Sequence, residues 1–422
     1  MENFLSQLPR LKLQNDAEEV SKGPSSTKDP ERELKQGHLQ GAFDHEDAHM
    51  WPETPPAEAR CDSLIPAGAN EAVLEKLQDK VLKEVGGAFS CVLGVLGDRL
   101  GLYKAMDGAG KVTPAELAVR TGCSERLMRE WLNANAAAGW VAYHAPSETF
   151  ELTAEQAMVL ARDENPSNLM GLMEVAASLS GTHLETLAST FKSGRGLSYG
   201  EQPVGMARGI ARATATEWEA LLVQVWLPAL GDILEEELER GGKVADVGCG
   251  FGATTLMMAR SYPNSTFVGF DRHELSVLQA RAIAKDNGIE GNVSFQVSTA
   301  KNFPGDGFTL ITMLDSLHDF GDPLGAAKHV YEALADGGIW LIVEHLTDGK
   351  LSGNLTNPLA RVLYSFSTLV CVPNALSQEG GCSWGACAGE AKIRGVVEAA
   401  GPFREFRRIA ESPRHMVFAA RK

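Results

Sequence analysis

The spacing of apolar residues changes along the chain, and each kind of spacing predicts a different structure. From residue 70, apolar residues recur every three or four positions, which predicts an amphipathic helix: Leu74, Leu77, Val81, Val85 and Phe89. From residue 241, helical stretches alternate with short apolar runs that predict strands: KVADVG, TFVGFD, VSFQVS, FTLITMLD and IWLIVEH. This alternation predicts an α/β fold with a doubly wound, mostly parallel sheet.

A helix-turn-helix pattern stands between these two stretches. Thr113, Pro114 and Glu116 supply an N-cap, a first-turn proline and a capping-box acid. A tight turn, TGC, then leads to Ser124 as the cap of a second helix. The β-like pieces WVAYH and TFEL follow. Helix, turn, helix and hairpin in this order predict a winged helix.

These patterns divide the chain into four segments. Residues 1–66 hold 13 acidic and 7 basic residues and few large apolar ones, which predicts a disordered acidic tail. Residues 67–165 form a winged-helix module, and residues 166–240 a helical connector. A glycine-rich stretch within the connector is interpreted either as a mobile lid or as an ordinary connection. Residues 241–422 form the α/β domain.

The charge and cysteine content of the chain indicate which binding partners and which cellular compartment to expect. The formal net charge is −16, and residues 88–165 carry 7 basic and 10 acidic residues, whereas a DNA-reading module is basic. We therefore expect no nucleic-acid partner. No apolar run reaches the length of a membrane span, and seven scattered cysteines match neither a disulfide nor a zinc framework. We expect a cytoplasmic protein without a metal or a membrane partner.

The candidate ligand site lies in VADVGCGFG, residues 244–252. Gly248, Gly250 and Gly252 follow the first strand, where glycine lets the backbone approach a ligand closely. Asp271 ends the next strand, where an acid accepts hydrogen bonds from ribose hydroxyls. Asp246 would repel a phosphate but suit an ammonium or sulfonium group. Because dinucleotide sites have the spacing G-x-G-x-x-G, this loop favours a different ribose-bearing ligand.

With these residues, the chain resembles the class I S-adenosylmethionine-dependent methyltransferases. The resemblance covers roughly residues 75–422, and further similar stretches are STAKNFP, LHDFGDP and HMVFAAR. It extends to a bacterial-type family of small-molecule methyltransferases that carry an N-terminal winged helix. Those relatives tend to have Glu-Pro where this chain has Glu344-His345, and a Thr-Pro-x-Asn-like turn where it has SPRH. The substrate therefore does not follow from the resemblance.

The resemblance implies S-adenosylmethionine as the cofactor and a small-molecule methyl acceptor. It also implies a set of cofactor-binding residues, in which Asp246 holds the amino-acid end and Asp271 the ribose: Asp246, Gly248, Cys249, Gly250, Gly252, Asp271, Arg272, Thr299, Ala300, Leu314 and Asp315.

The remaining candidates concern the acceptor. His318 is the expected general base, with Glu344 as the other catalytic candidate. Asp319, His345 and Tyr364 are expected at the substrate. Cys371 and two tryptophans, Trp218 and Trp384, are further candidates for the pocket.

Three functions are therefore weighed from the sequence. The first is methyl transfer to an oxygen or nitrogen atom by a homodimer joined through the N-terminal helices. The main alternative is a winged-helix DNA-binding regulator that senses the cofactor, which the net charge opposes. The third, a catalytically silent scaffold, is opposed by the intact Asp246 and Asp271.

Overall fold

The computed structural model describes residues 69–180 and 184–422. The predicted acidic tail, residues 1–66, lies outside the described residues. The first turns of helix α1, up to Glu84, form a unit separate from Val85–Lys422, which contains the other elements.

The N-terminal elements have the predicted winged-helix order. They are α1 (Glu71–Arg99), α2 (Leu102–Met106), α3 (Pro114–Thr121), α4 (Glu125–Ala137), β1 (Ala142–His144), β2 (Thr149–Glu151) and α5 (Ala154–Leu160). The capping box on α3 is present, because Glu116 N donates to Thr113 Oγ1 and Thr113 N donates to Glu116. Ser124 lies at the N-cap of α4 but makes no capping hydrogen bond through its side chain. Strands β1 and β2 pair antiparallel as the wing.

A helical connector follows and is tied to the winged helix by a largely buried arginine. Its elements are α6 (Met170–Leu179), α7 (Leu184–Ser193), α8 (Val204–Leu221) and α9 (Asp232–Arg240). Arg212 on α8 binds both oxygens of Asp98 at 2.6 and 2.9 Å and also contacts Asp163. Lys104 pairs with the other oxygen of Asp163 at 2.6 Å. Burial raises the pKa of Asp163, but these two cations outweigh it and lower the pKa below its ordinary value.

The C-terminal elements alternate as predicted and then depart from the pattern. They are β3 (Lys243–Val247), α10 (Ala253–Ser261), β4 (Thr266–Asp271), α11 (Glu274–Asp286), β5 (Val293–Val297), β6 (Phe308–Leu314), α12 (Pro323–Ala333), β7 (Leu334–His345), α13 (Leu351–Asn354), α14 (Ala360–Phe366), α15 (Val372–Leu376), α16 (Gly389–Ala400), β8 (Glu405–Glu411) and β9 (His415–Arg421). The departure is the last pair of strands, which run antiparallel at one edge of the sheet.

The seven strands lie in the order β5-β4-β3-β6-β7-β9-β8. The five strands β3 to β7 run parallel to one another, so the predicted mostly parallel, doubly wound sheet is confirmed. The strand order reverses between β3 and β6, and in such sheets ligands bind outside the carboxyl ends of the strands at this point.

Both faces of the sheet are buried under helices. Val244 and Leu310 belong to the apolar cluster on one face, and Ala245 and Ile311 belong to the cluster on the other. Burial on both faces explains why the strands are continuous apolar runs and do not alternate with polar residues. In the two described ranges, every helix is too short or too polar to cross a lipid bilayer.

Candidate functional site

A cavity of about 510 Å³ opens at the carboxyl ends of β3, β4 and β6. One side, which we call the glycine wall, consists of residues 247–251, 270–273 and 298–301. Another part of the lining, which we call the histidine wall, contains Asp315, His318, Asp319, His345 and His415. Helix α14 and the connector close the cavity with apolar side chains, including Phe366 and Trp218.

The turn after β3 is held tightly against neighbouring segments. The backbone N–H groups of Gly248 and Cys249 both donate to Phe270 O, at 2.8 and 3.1 Å. Gly248 has φ +81°, and a Cβ there would lie 2.5 Å from Cβ of Ser316. Glycine is therefore required at this position by both conformation and space.

Asp271 lies at the end of β4 and organises the same turn. Its Oδ2 accepts the N–H of Gly250 at 2.9 Å, and its Oδ1 accepts the N–H of His273 at 2.8 Å. Burial raises the pKa of Asp271 above its ordinary value, and the two backbone hydrogen bonds oppose part of that rise. Each carboxylate oxygen keeps a second lone pair, so Asp271 can also accept hydrogen bonds from a ligand in the cavity.

Asp246 is the buried acid at the end of β3. Its side chain is buried beneath the turn and is not part of the cavity lining. Its oxygens accept hydroxyl groups from Thr254 at 2.8 Å, Thr255 at 2.6 Å and Thr312 at 2.8 Å. The carboxylate of Asp246 thus joins β3, β6 and α10, and its role at the ammonium end of the cofactor stays a prediction.

On the histidine wall, the buried carboxylate of Glu344 contacts both the backbone and the ring of His318. The backbone N–H of His318 donates to Glu344 Oε1 at 3.1 Å, and its Nδ1 lies 2.6 Å from Glu344 Oε2. Its Nε2 lies 3.5 Å from Asp319 Oδ1. Burial alone would lower the pKa of His318, but the charges of Glu344 and Asp319 raise it well above the ordinary value. Glu344 is buried and does not line the cavity.

Two further histidines converge on Asp315. His415 Nε2 lies 2.8 Å from Asp315 Oδ2, and His345 Nδ1 lies 3.3 Å from Asp315 Oδ1. Burial would raise the pKa of Asp315, but the charges of His415 and His345 reverse the effect and lower it. Burial would lower the pKa of His415, but Asp315 and Glu217 raise it to about 9. For His345, burial prevails and its pKa is lowered.

The structure thus brings most of the predicted residues to one cavity. Those that line it are Gly248, Cys249, Gly250, Asp271, Arg272, Thr299, Ala300, Leu314, Asp315, His318, Asp319 and His345. Besides Asp246 and Glu344, two predicted residues do not line it. Gly252 begins α10 with φ +78°, and the hydroxyl of Tyr364 is engaged by Asn354 Nδ2 at 3.1 Å.

Several lining residues were missed by the sequence reasoning. Tyr199, His273, Asn374, Arg414 and His415 all line the cavity. The SPRH turn was noticed in the sequence, but only as a departure from the family pattern. The candidates Trp218 and Cys371 line the cavity, whereas Trp384 does not.

Two family models match this chain in the same order as the predicted modules. Residues 88–162 match the Rv2258c-like winged HTH domain, and residues 238–389 match the model described as a methyltransferase domain. These matches confirm the predicted resemblance to methyltransferases that carry an N-terminal winged helix.

Curated relatives are similar over part of the chain. An uncharacterized methyltransferase of Bacillus subtilis is 34% identical over 105 residues, which are 24% of this chain and 40% of that protein. A ubiquinone/menaquinone biosynthesis C-methyltransferase of Psychromonas ingrahamii is 31% identical over 137 residues, or 31% of this chain and 52% of the relative. The chain thus spans about half the length, or less, of these relatives.

Solved structures match over most of the chain. Human N-acetylserotonin methyltransferase, solved with S-adenosylmethionine, superposes with a TM-score of 0.59 at 18% identity, covering 85% of this chain and 99% of that one. The mitomycin 7-O-methyltransferase superposes with a TM-score of 0.58 at 17% identity, covering 84% and 100%. At these identities the likeness establishes a shared fold.

Proposed function

We propose that this chain is an S-adenosylmethionine-dependent methyltransferase that transfers a methyl group to an oxygen or nitrogen atom of a small molecule. The observation that carries the proposal is that both walls line one cavity. The glycine wall offers a close backbone approach and Asp271, while the histidine wall offers groups that hold and move protons. The match of residues 238–389 to a methyltransferase domain supports it.

In this proposal the glycine wall holds the cofactor. Gly248 and Gly250 leave room for its methionine and ribose parts, and the free lone pairs of Asp271 accept the ribose hydroxyls. Thr299 and Ala300, which line the cavity, are proposed to contact the adenine. When bound, S-adenosylmethionine supplies an activated methyl group, so the protein mainly has to align the acceptor and exclude water.

The histidine wall then receives the acceptor. Glu344 engages Nδ1 of His318, so Nε2 is the nitrogen available to the acceptor's proton. The raised pKa makes His318 and Glu344 a stable destination for that proton, although only the neutral imidazole can accept it. Asp319 and His345 line the same wall and are proposed to orient the acceptor.

Ligand titration tests the proposal directly. Isothermal titration calorimetry of the full chain with S-adenosylhomocysteine, S-adenosylmethionine and NAD should show binding of the first two ligands. Tighter binding of NAD than of S-adenosylhomocysteine would overturn it. Mass spectrometry of metabolites that copurify with the protein identifies candidate acceptors.

The regulator alternative finds no support in the exposed face of α4. Arg126 pairs with Glu130 at 2.5 Å, and Arg129 pairs with Glu125 at 3.1 Å. Guanidinium groups that already carry an acidic partner are poor phosphate contacts. A gel-shift assay at low salt should therefore show no DNA binding.

We also propose a homodimer and a cytoplasmic location. On α1, four apolar side chains at helical spacing are 47–66% exposed, and such a stripe favours a partner: Leu77, Val81, Val85 and Phe89. Light scattering on a chain that begins at residue 67 should still give a dimer mass, and a monomer would contradict this. In the described part of the chain six cysteines are free thiols, which favours a reducing compartment.

A further inference from the structure

We propose that Asp315, His345 and His415 form a binding site for one divalent transition-metal ion on the histidine wall. The three residues come from the end of β6, the end of β7 and the start of β9, so the sheet brings together positions 100 residues apart in sequence. His345 and the SPRH turn that contains His415 are also the places where the sequence departs from the pattern of its relatives.

The spacing of the donor atoms suits a metal ion. Asp315 Oδ2 lies 2.8 Å from His415 Nε2, Asp315 Oδ1 lies 3.3 Å from His345 Nδ1, and one donor atom from each residue lies within 4.8 Å of the others. Ligands bound at about 2.0–2.2 Å in tetrahedral geometry are themselves roughly 3.4 Å apart. Small side-chain movements would therefore suffice to admit an ion between these atoms.

The orientation of His415 is fixed by a second layer of residues. Its Nδ1 lies 3.0 Å from Glu217 Oε1, so the carboxylate favours a proton on Nδ1 and leaves Nε2 to act as a ligand. Glu217 is itself held by Ser412 Oγ, which donates at 2.5 Å, and by Arg414 at 2.6 Å. A carboxylate behind a histidine is the usual support of a metal-binding imidazole.

The backbone conformation and the side-chain environment of Asp315 also favour the binding of a cation. It has φ +49°, an uncommon backbone conformation that costs free energy and is found at functional sites. Its Oδ1 is buried, and no described residue donates a hydrogen bond to it. A bound cation would satisfy this oxygen.

The ligand set indicates which metal would bind. Two imidazoles and one carboxylate with open positions suit Zn²⁺, Fe²⁺ or Co²⁺ better than Mg²⁺ or Ca²⁺, which prefer oxygen ligands. Because all three residues line the cavity, an open position on the metal would face the space proposed for the methyl acceptor. That role rests on the proposed function, whereas the binding of the metal does not.

Cobalt titration tests the site without any methyl acceptor. The full chain is stripped with a chelator and titrated with Co²⁺ while its visible absorption is recorded, and Zn²⁺ is then added as a competitor. We expect one Co²⁺ per chain, displaced by Zn²⁺, with no thiolate charge-transfer band. His345→Gln and Asp315→Asn should each weaken binding by more than about 100-fold, because both remove a direct ligand.

A matched control separates this site from surface histidines. His144 pairs with Glu151 at 2.8 Å on the wing, so His144→Gln should bind Co²⁺ like the unsubstituted chain. Thermal unfolding of each variant verifies that it is folded.

Three results would overturn the proposal: no stoichiometric binding, binding unaffected in the folded variants, or a cobalt–thiolate band. The last would place the ion at the neighbouring group His318, Asp319 and Cys371. S-adenosylhomocysteine titration on the same samples separates the two proposals. If the chain binds Co²⁺ but not S-adenosylhomocysteine, only the proposed function is refuted. If it binds S-adenosylhomocysteine but not Co²⁺, only the metal site is refuted.

Discussion

Asp271→Ala should weaken the binding of S-adenosylhomocysteine by roughly 10- to 150-fold. Both oxygens of Asp271 already accept backbone N–H groups, from Gly250 and His273, and their remaining lone pairs are the acceptors proposed for the ribose hydroxyls. A hydrogen bond to a charged group contributes about 1.5–3 kcal/mol, which corresponds to that range of dissociation constants. Loss of the acceptor for Gly250 would also loosen the turn, so the effect should lie in the upper part of the range.

Calorimetry with S-adenosylhomocysteine measures the effect, and two further variants define its cause. Asp271→Asn keeps one carbonyl oxygen but turns an amide group toward a backbone N–H, so it should also weaken binding clearly. Asp286→Ala removes an exposed carboxylate at the end of α11 and should leave affinity unchanged. If folded Asp271→Ala bound within about threefold of the unsubstituted chain, the ribose assignment would be wrong, since one such hydrogen bond is worth more than that.

Four other variants test separate parts of the argument. Asp246→Ala should lower the free energy of unfolding by about 2–3 kcal/mol, measured in urea, because three buried hydroxyls lose their acceptor. Gly248→Ala should weaken S-adenosylhomocysteine binding, since the new Cβ meets Ser316; unchanged calorimetric affinity would contradict this. His318→Ala should lower turnover on the true acceptor by roughly 10²–10⁴-fold while calorimetry shows unchanged S-adenosylhomocysteine affinity. Asp163 has a lowered pKa in the folded state, so its ionised carboxylate stabilises the fold above about pH 4. This stability is lost as the pH falls toward the folded-state pKa. The melting temperature of Asp163→Asn should therefore depend less on pH in the acid range than that of the unsubstituted chain.

Local signals in the sequence predicted local structure well. The capping box of Thr113 and Glu116 is formed in the structure, and five apolar runs became the parallel strands. Both signals depend on neighbours within a few residues, where spacing alone decides which groups meet. The glycine turn and Asp271 were predicted for the same reason, because a turn after β3 and the end of β4 always meet at one edge of such a sheet.

Contacts between distant segments were predicted poorly. Hydroxyl groups from α10 and β6 donate to the carboxylate of Asp246, and nothing in the sequence near Asp246 indicates these contacts. His415 was noticed only as part of an unusual turn. Its meeting with Asp315 depends on the antiparallel return of β9 beside β7, and hydrophobic spacing does not reveal strand order.

The residues of the two walls of the cavity are synthesised at different times. The glycine wall comes from residues 247–301, a single continuous stretch, and β3 at its start also pairs with the later strand β6. The histidine wall needs β9, which starts at His415, so it is completed only when nearly the whole chain has emerged. The ribosome therefore makes all of the residues expected at the methyl donor before it makes the last histidine of the histidine wall. The same separation lets mutations in the late segments alter which acceptor fits while the donor pocket is inherited unchanged.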